Sequence, residues 1–388
     1  MAIPISYSFR NLLARRTTSL MTALGIGLTV AVLLAVSALA QGLRTSLEAS
    51  GHPLNLLVTR KGSNAELYSS FTNEAFQALK FKPGIAKDSK GDPAASLELI
   101  TVIVMESPEN PSGINISVRG IEPRGLEIRD GARVSEGRMF TPGRREVVVG
   151  KGVAGRYPLA RIGSRIPFGR GEWEVVGVLD GGRGMANSEI FCDLRQLASD
   201  QNRDNGLSSV LLRAADESSA QALINDLPND RRLNIDVVRE KDYHAQQTQS
   251  ATPIRAVGTF VALIMAIGSC FAAMNTMYAA VARRSAEIGT LRVLGFPRRS
   301  ILLSFFLESI FLSILGGIIG CLLVLPLNNV NTAIGSFVTF SEISFDFHVS
   351  PKIMLYGVLF AMFMGAVGGL LPAASAARKQ ILTALRQV

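Results

Sequence analysis

Apolar residues fall into four long uncharged runs, one near the start of the chain and three crowded at the end. No charged side chain occurs from Thr17 to Leu43, from Ala256 to Ala282, from Ser309 to Ser341 or from Ile353 to Ala377. Crossing a hydrocarbon core of roughly 30 Å takes about 20 mostly apolar residues, so each run holds one span. A helix is the expected form, because a peptide group left unpaired in lipid costs several kcal/mol. The spans are read as residues 17–43, 254–282, 301–326 and 352–377.

Between the first two spans the period changes. Leu54–Thr59, Ile114–Gly120, Glu146–Gly150, Glu172–Leu179 and Ser209–Arg213 are short alternating or β-branched runs and predict strands. Ser218–Leu227 predicts a helix, and Pro83–Pro111, polar and Pro/Gly-rich at both ends, predicts a loop. Strands mixed with single helices imply a mixed α+β domain over residues 44–253, in one or two lobes. Leu43 and Leu47 carry the first helix past its span as a stalk, which Gly51-His52-Pro53 ends. Asp242–Gln249, polar and free of Gly and Pro, forms a matching stalk before the second span. The expected fold class is an α-helical membrane protein with four transmembrane helices and a mixed α+β domain inserted between helices one and two.

Charge gives this layout an orientation. The chain has 388 residues and a formal charge of +9. Residues 44–255 hold 28 Lys/Arg against 27 Asp/Glu, whereas the remainder holds 12 against 4. The excess therefore flanks the spans, at Arg10, Arg15 and Arg16, at Arg283, Arg284, Arg292, Arg298 and Arg299, and at Arg378, Lys379 and Arg386. The loop 327–351 has no Lys or Arg, only Glu342 and Asp346. The positive-inside rule then places both termini, 1–16 and 378–388, in the cytoplasm. The domain 44–253 and the loop 327–351 face outward, the periplasm of a bacterial inner membrane. Nucleic acid is not an expected partner, since its footprint would concentrate charge on the soluble domain. Membrane lipid is: Ile3, Ile5, Phe9, Leu12 and Leu13 among basic residues suit a short interfacial helix over 1–16, or equally an unstructured basic leader. The first run is too long for a signal peptide, and Gln41-Gly42-Leu43-Arg44 is a poor cleavage site, so the span is expected to be retained.

Catalytic chemistry is not legible. His52, His244 and His348 are far apart, and no metal-binding spacing or phosphate-binding Gly-x-x-x-x-Gly-Lys-Ser/Thr loop occurs. Lys151-Gly152-Val153-Ala154-Gly155 is Gly-rich but is not followed by the Lys-Ser/Thr pair that completes such a loop. Cys270 and Cys321 lie in spans, leaving Cys192 alone in the outer domain without a disulfide partner there. The expectation is a non-catalytic subunit with no cofactor or metal of its own. Glu308, inside the third span, is read as structural, paired with a neighbouring helix or reaching the inner interface. Gly316, Gly317 and Gly320, with Gly365, Gly368 and Gly369, are read as sites of close helix packing.

The segment 283–299 is more specific than a loop needs to be. Ile288, Leu291, Val293, Leu294 and Phe296 give it an apolar side, and Arg284, Glu287, Arg292 and Arg298 a charged one. This predicts a short amphipathic helix on the cytoplasmic surface, suited to a partner's groove. Arg284, Glu287, Ile288, Gly289, Leu291, Arg292 and Gly295 also stand in the register of a family pattern, Arg-x-x-Glu-Ile-Gly-x-Leu-Arg-x-x-Gly. The segment resembles the coupling helix of MacB/FtsX-type, or type VII, ABC permeases. Typical members carry an acid before the first arginine; Arg283 stands there, so that acid's contact does not carry over. Arg10-Asn11-Leu12-Leu13-Ala14-Arg15-Arg16 with Thr22–Ile26 is similar to the family's N-terminal signature. Glu146–Gly150 through Gly163 to Val175–Val178 resembles its outer core domain, and Leu371–Ala377 its closing motif.

The resemblance implies a permease working as a pair, two copies or a copy and a sister, beneath two ABC ATP-binding subunits. ATP and Mg would sit on those subunits, which are expected to be separate because this sequence starts at the permease portion. It implies mechanotransmission, with ATPase contacts at Arg283, Arg284, Glu287, Ile288, Gly289, Leu291, Arg292, Leu294 and Gly295. The expected task is export or extrusion of a lipid, lipoprotein, peptide or drug, with a periplasmic adaptor and outer-membrane channel as further candidate partners. The alternative is an FtsX-like signalling subunit controlling an enzyme outside; the size of 44–255 favours export.

Overall fold

A computed structural model describes residues 16–88, 90–108, 111–230, 232–247, 251–335 and 341–378. The expectations for the leader at 1–15 and the tail beyond Arg378 lie outside the described residues. The chain divides into two compact units.

The first unit, 1–40, 253–330 and 347–388, holds the helices that lipid demands. Four helices are long and apolar enough to cross a membrane. They are α1 (Arg16–Glu48), whose last residues enter the second unit, and those at Ala251–Arg283, Arg298–Val324 and Pro351–Arg378. Small residues let them approach. A Cβ on Gly316 or Gly320 would meet the carbonyl oxygens of Ala23 and Gly27 of α1 at 2.8 and 2.7 Å. On the fourth helix, Gly365 and Gly369 receive Ser313 and Ser309 of the third, and Ser309 Oγ donates to the Gly365 carbonyl at 3.0 Å. These glycines thus serve packing, as in other membrane helix pairs.

The second unit, 41–252 and 331–346, is a mixed α+β domain. Its strands are β1 (Asn55–Arg60), β2 (Ala95–Met105), β3 (Ile114–Ile121), β4 (Arg133–Gly137), β5 (Glu146–Gly150), β6 (Arg165–Phe168), β7 (Gly171–Asp180), β8 (Glu189–Asp193), β9 (Ser209–Arg213) and β10 (Ile235–Arg239). They form one sheet in the order β10-β1-β9-β2-β3-β8-β5-β7-β4, with β6 on β7. Pairs β3/β8 and β5/β7 are parallel; the others are antiparallel. The predicted strands thus appear within a residue or two, and the predicted helix at Glu217–Asp226. The loop expected over 83–111 is corrected: it contains β2, at 11 residues the longest described strand of this sheet. Its Leu97, Leu99, Ile103 and Met105 alternate into the core, a period that the polar ends of the stretch conceal.

A second unforeseen element is the hairpin of β11 (Asn331–Gly335) and β12 (Glu342–Asp346), in what reads as a short loop. It belongs to the sheet-bearing unit. Glu342, buried, accepts from Arg156 Nη1 at 2.7 Å and from the Tyr157 hydroxyl. Ser344 exchanges hydrogen bonds with Ser188, and Ser341 pairs with Ser117. Within the same unit the two stalk ends meet: Asn55 Nδ2 donates to Glu240 Oε2 at 2.8 Å. Glu240 opens the helix Glu240–Gln247, so the predicted stalk 242–249 is described only to Gln247.

Glu342→Ala leaves Arg156 without its buried carboxylate partner. It is expected to raise amide exchange across 331–346 at least tenfold while the sheet stays protected; unchanged exchange would remove the pair from the account.

Candidate coupling site

The region 283–299 divides into three parts. The second span ends at Arg283, a short helix runs from Ser285 to Val293, and the third span begins at Arg298. The short helix stops for a local reason. Gly295 takes a φ of +89°, its N–H bonds to the Arg292 carbonyl at 3.2 Å, and the Phe296 N–H bonds to that of Leu291 at 3.1 Å. This pairing closes a helix end on a left-handed glycine, a conformation that favours glycine over residues with a Cβ. Pro297 then fixes the entry to the third span.

Burial sorts the nine predicted residues. Arg284, Ile288 and Gly289 are buried, Leu291 and Arg292 half-buried, and Arg283, Glu287, Leu294 and Gly295 exposed. The face assignment is therefore corrected for Arg284. It lies inward, over the Phe305 ring at 5.3 Å. Its Nη1 donates to Glu308 Oε2 at 3.2 Å and its Nε to Glu287 Oε2 at 3.0 Å. Glu308, in the third span, is buried as well. Glu308 thus has a partner on a neighbouring helix, one of the two alternatives expected from sequence, and that partner is Arg284. The reason is electrostatic: a membrane carboxylate is stable only opposite a cation, and a guanidinium also stacks on an aromatic face. Ile288 joins a buried cluster with Met277, Val281, Ile301, Phe305 and Ala373. The inner face of the helix is thereby held to the spans.

The outer face ends in an apolar tip. Val293 and Leu294 are 62% and 65% exposed, and Arg298 and Arg299, next in sequence after the turn, are exposed as well. Sequence pattern groups these two with Ile288 on a single apolar side. The structure separates them: at about 100° per residue Val293 and Leu294 lie roughly 140° and 120° around the axis from the buried Ile288. The Arg292 Nε is buried without a hydrogen-bond partner.

Comparison with known proteins places these elements in context. Residues 19–229 match the model of the MacB-like periplasmic core domain, and residues 259–381 that of the FtsX-like permease C-terminal region. An uncharacterized ABC transporter permease, YknZ of Bacillus subtilis (strain 168), is 26% identical across 98% of both chains. The macrolide export ATP-binding/permease protein MacB of Bradyrhizobium diazoefficiens is 26% identical over 82% of this chain and 51% of its own length. That of Paracoccus denitrificans is 24% identical over 96% and 57%. The chain thus spans little more than half of these MacB relatives. Among solved structures, the periplasmic region of MacB from Actinobacillus actinomycetemcomitans aligns with a TM-score of 0.38 at 10% identity, over 51% of this chain and 94% of that one. The extracellular domain of YknZ aligns at 0.35 and 20%, over 48% and 100%.

Removing one partner of a buried pair costs roughly 3–5 kcal/mol, whereas replacing both by apolar residues is often neutral. Glu308→Ala is therefore expected to lower the melting temperature of the chain in nanodiscs. Arg284→Met with Glu308→Leu is expected to restore most of it. A double variant no better than the single one would contradict a pairwise role.

Proposed function

The chain belongs to the MacB/FtsX-type ABC-transporter permeases, with a MacB-like periplasmic core domain and an FtsX-like C-terminal region, and from that premise we propose that it transmits ATP-driven motion of a separate ABC ATP-binding subunit to its outer domain. The observation that carries this reading is the short helix Ser285–Val293, fixed inward by Arg284 and Glu308 and presenting Val293 and Leu294 outward. Two exposed apolar side chains, with exposed arginines close by in sequence, suit insertion into a partner's groove, with the charged residues setting register. Glu287 and Arg292 join that contact. Arg284, Ile288, Gly289 and Gly295 hold the shape of the helix that makes it.

The chain itself contributes no hydrolysis. ATP and Mg bind on the partner, and two permease copies, or this chain and a sister, work above two ATPases. Both termini and the short helix are cytoplasmic; the domain between helices one and two and the hairpin 331–346 are periplasmic. The substrate is a lipid, lipoprotein, peptide or drug exported or extruded from the outer side. An adaptor and outer-membrane channel complete the path. The 212-residue outer segment, far larger than a simple linker, supports export over control of an outside enzyme.

Two outcomes test this. Leu294→Asp, at an exposed position, is expected to leave the melting temperature unchanged and to cut recovery of the co-purifying ATPase at least tenfold; full recovery would remove the tip from the interface. Asn331→Cys is expected to react with an impermeant thiol reagent on intact cells, and protection of that thiol would reverse the proposed topology.

A further inference from the structure

The outer domain holds a polar cavity, partly open to solvent, that the coupling account does not use. It has a volume of about 220 Å³ and is lined by Glu66, Arg119, Arg129, Glu189, Glu240 and His244, among others. All of these belong to the sheet-bearing unit.

Its charges do not balance. Arg119, on β3, gives all its donors to three carboxylates: Nε and Nη2 to Glu189 at 2.7 Å each, Nη1 to Glu98 at 2.7 Å, and Nη1 and Nη2 to Glu66 at 3.0 and 3.2 Å. Glu98 is shared with Arg129 at 2.6 and 2.8 Å. Glu240 is the fourth buried acid. Four carboxylates therefore face two guanidinium groups. Such an excess is relieved either by protonation of a carboxylate or by a bound counter-charge.

The nearby histidines do not supply it. Burial pushes the His244 pKa down, which keeps the imidazole neutral. His52 Nε2 lies 3.7 Å from Asp130 on the cavity wall. Unused acceptors remain instead. Glu240 Oε2 accepts from Asn55, while Oε1 stands 4.0 Å from His244 Nε2, beyond hydrogen-bond distance. The buried His244 Nδ1 has no hydrogen-bond partner. The described residues form no group of three or more His, Cys, Asp or Glu able to hold a metal ion. An organic ammonium brings N–H donors that suit both the carboxylates and the unpartnered His244 Nδ1. Gly51 keeps this wall open: at φ +87° it sits where any Cβ would meet Glu240 within 2.9–3.1 Å.

We propose that this cavity binds a small organic dication of the short-chain diamine class, one ammonium on Glu240 beside His244 and the other on the Glu66 and Glu189 carboxylates. The volume sits below the roughly 300–1,000 Å³ of drug-sized pockets, which selects a short ligand. Ser50–Pro53 and the helix Glu240–Gln247 form part of the wall, so occupancy would tie the two stalk ends together within the domain.

Calorimetry on the full-length chain in nanodiscs tests this, with 1,4-diaminobutane, the uncharged 1,4-butanediol and magnesium chloride as probes. Saturable binding of the diamine, no binding of the diol and no competition by magnesium are expected. Glu240→Gln should weaken diamine binding at least tenfold, and Glu48→Gln, at an exposed position, should not. If Glu240→Gln fails to fold, the wild-type melting temperature decides, since a ligand of the native state raises it. No rise with diamine beyond that with diol, preferential binding of magnesium, or unchanged affinity in a folded Glu240→Gln protein would each overturn the proposal.

Discussion

An arginine and a glutamate buried at the end of the spans organise the half of the chain that is expected to meet the ATPase. Neither charge is tolerable there alone. Glu308 would be an unpaired carboxylate inside a span, and Arg284 an unpaired guanidinium against Phe305. Together, with Glu287 as a third member, they fix the short helix Ser285–Val293 to the third span. The Gly295 cap then decides where the helix ends and which side chains form its tip. A loop that only reversed direction would need none of this. The ion pair ties the segment to the third span, as the proposed mechanotransmission requires.

The outer domain shows the same economy with a different result. The central strands of its ten-stranded sheet are buried on both faces, yet Arg119, Glu66, Glu98 and Glu189 lie in the domain interior. Apolar residues of similar size would pack there at less electrostatic cost. Breaking one member of such a cluster leaves uncompensated buried charge, so its geometry is tightly coupled to the surrounding fold. The hairpin 331–346, anchored through Glu342 to Arg156 and Tyr157, adds a second covalent route by which chain from the membrane unit enters this domain.

Much of this was legible in the chain. The four uncharged runs gave the spans, since lipid leaves no alternative to helix, and the strands at 114–121, 146–150 and 209–213 announced themselves by β-branched alternation. The short helix Ser285–Val293 lies where the amphipathic pattern of 283–299 predicted one. What escaped was long-range in origin. Arg284 looks like a surface charge until Glu308, 24 residues away, is placed opposite it. The strand 95–105 hides between polar ends, and with it Glu98, whose burial makes sense only beside Arg119 and Arg129. The hairpin depends on partners more than 150 residues distant, which no local period reports. An arginine on the inward face of a predicted strand, as at Arg119, was the one available signal of the buried cluster.

The central claim is that force enters at Ser285–Val293 and emerges in the outer domain. Hydrogen exchange on the permease reconstituted with its ATPase, with and without ATP, tests it most directly. The account predicts that ATP changes exchange at the stalk ends, Ala49–Asn55 and Glu240–Gln247, at least tenfold, and that Glu308→Gln abolishes this change while hydrolysis continues. Unaltered exchange at both segments during ATP turnover would contradict it.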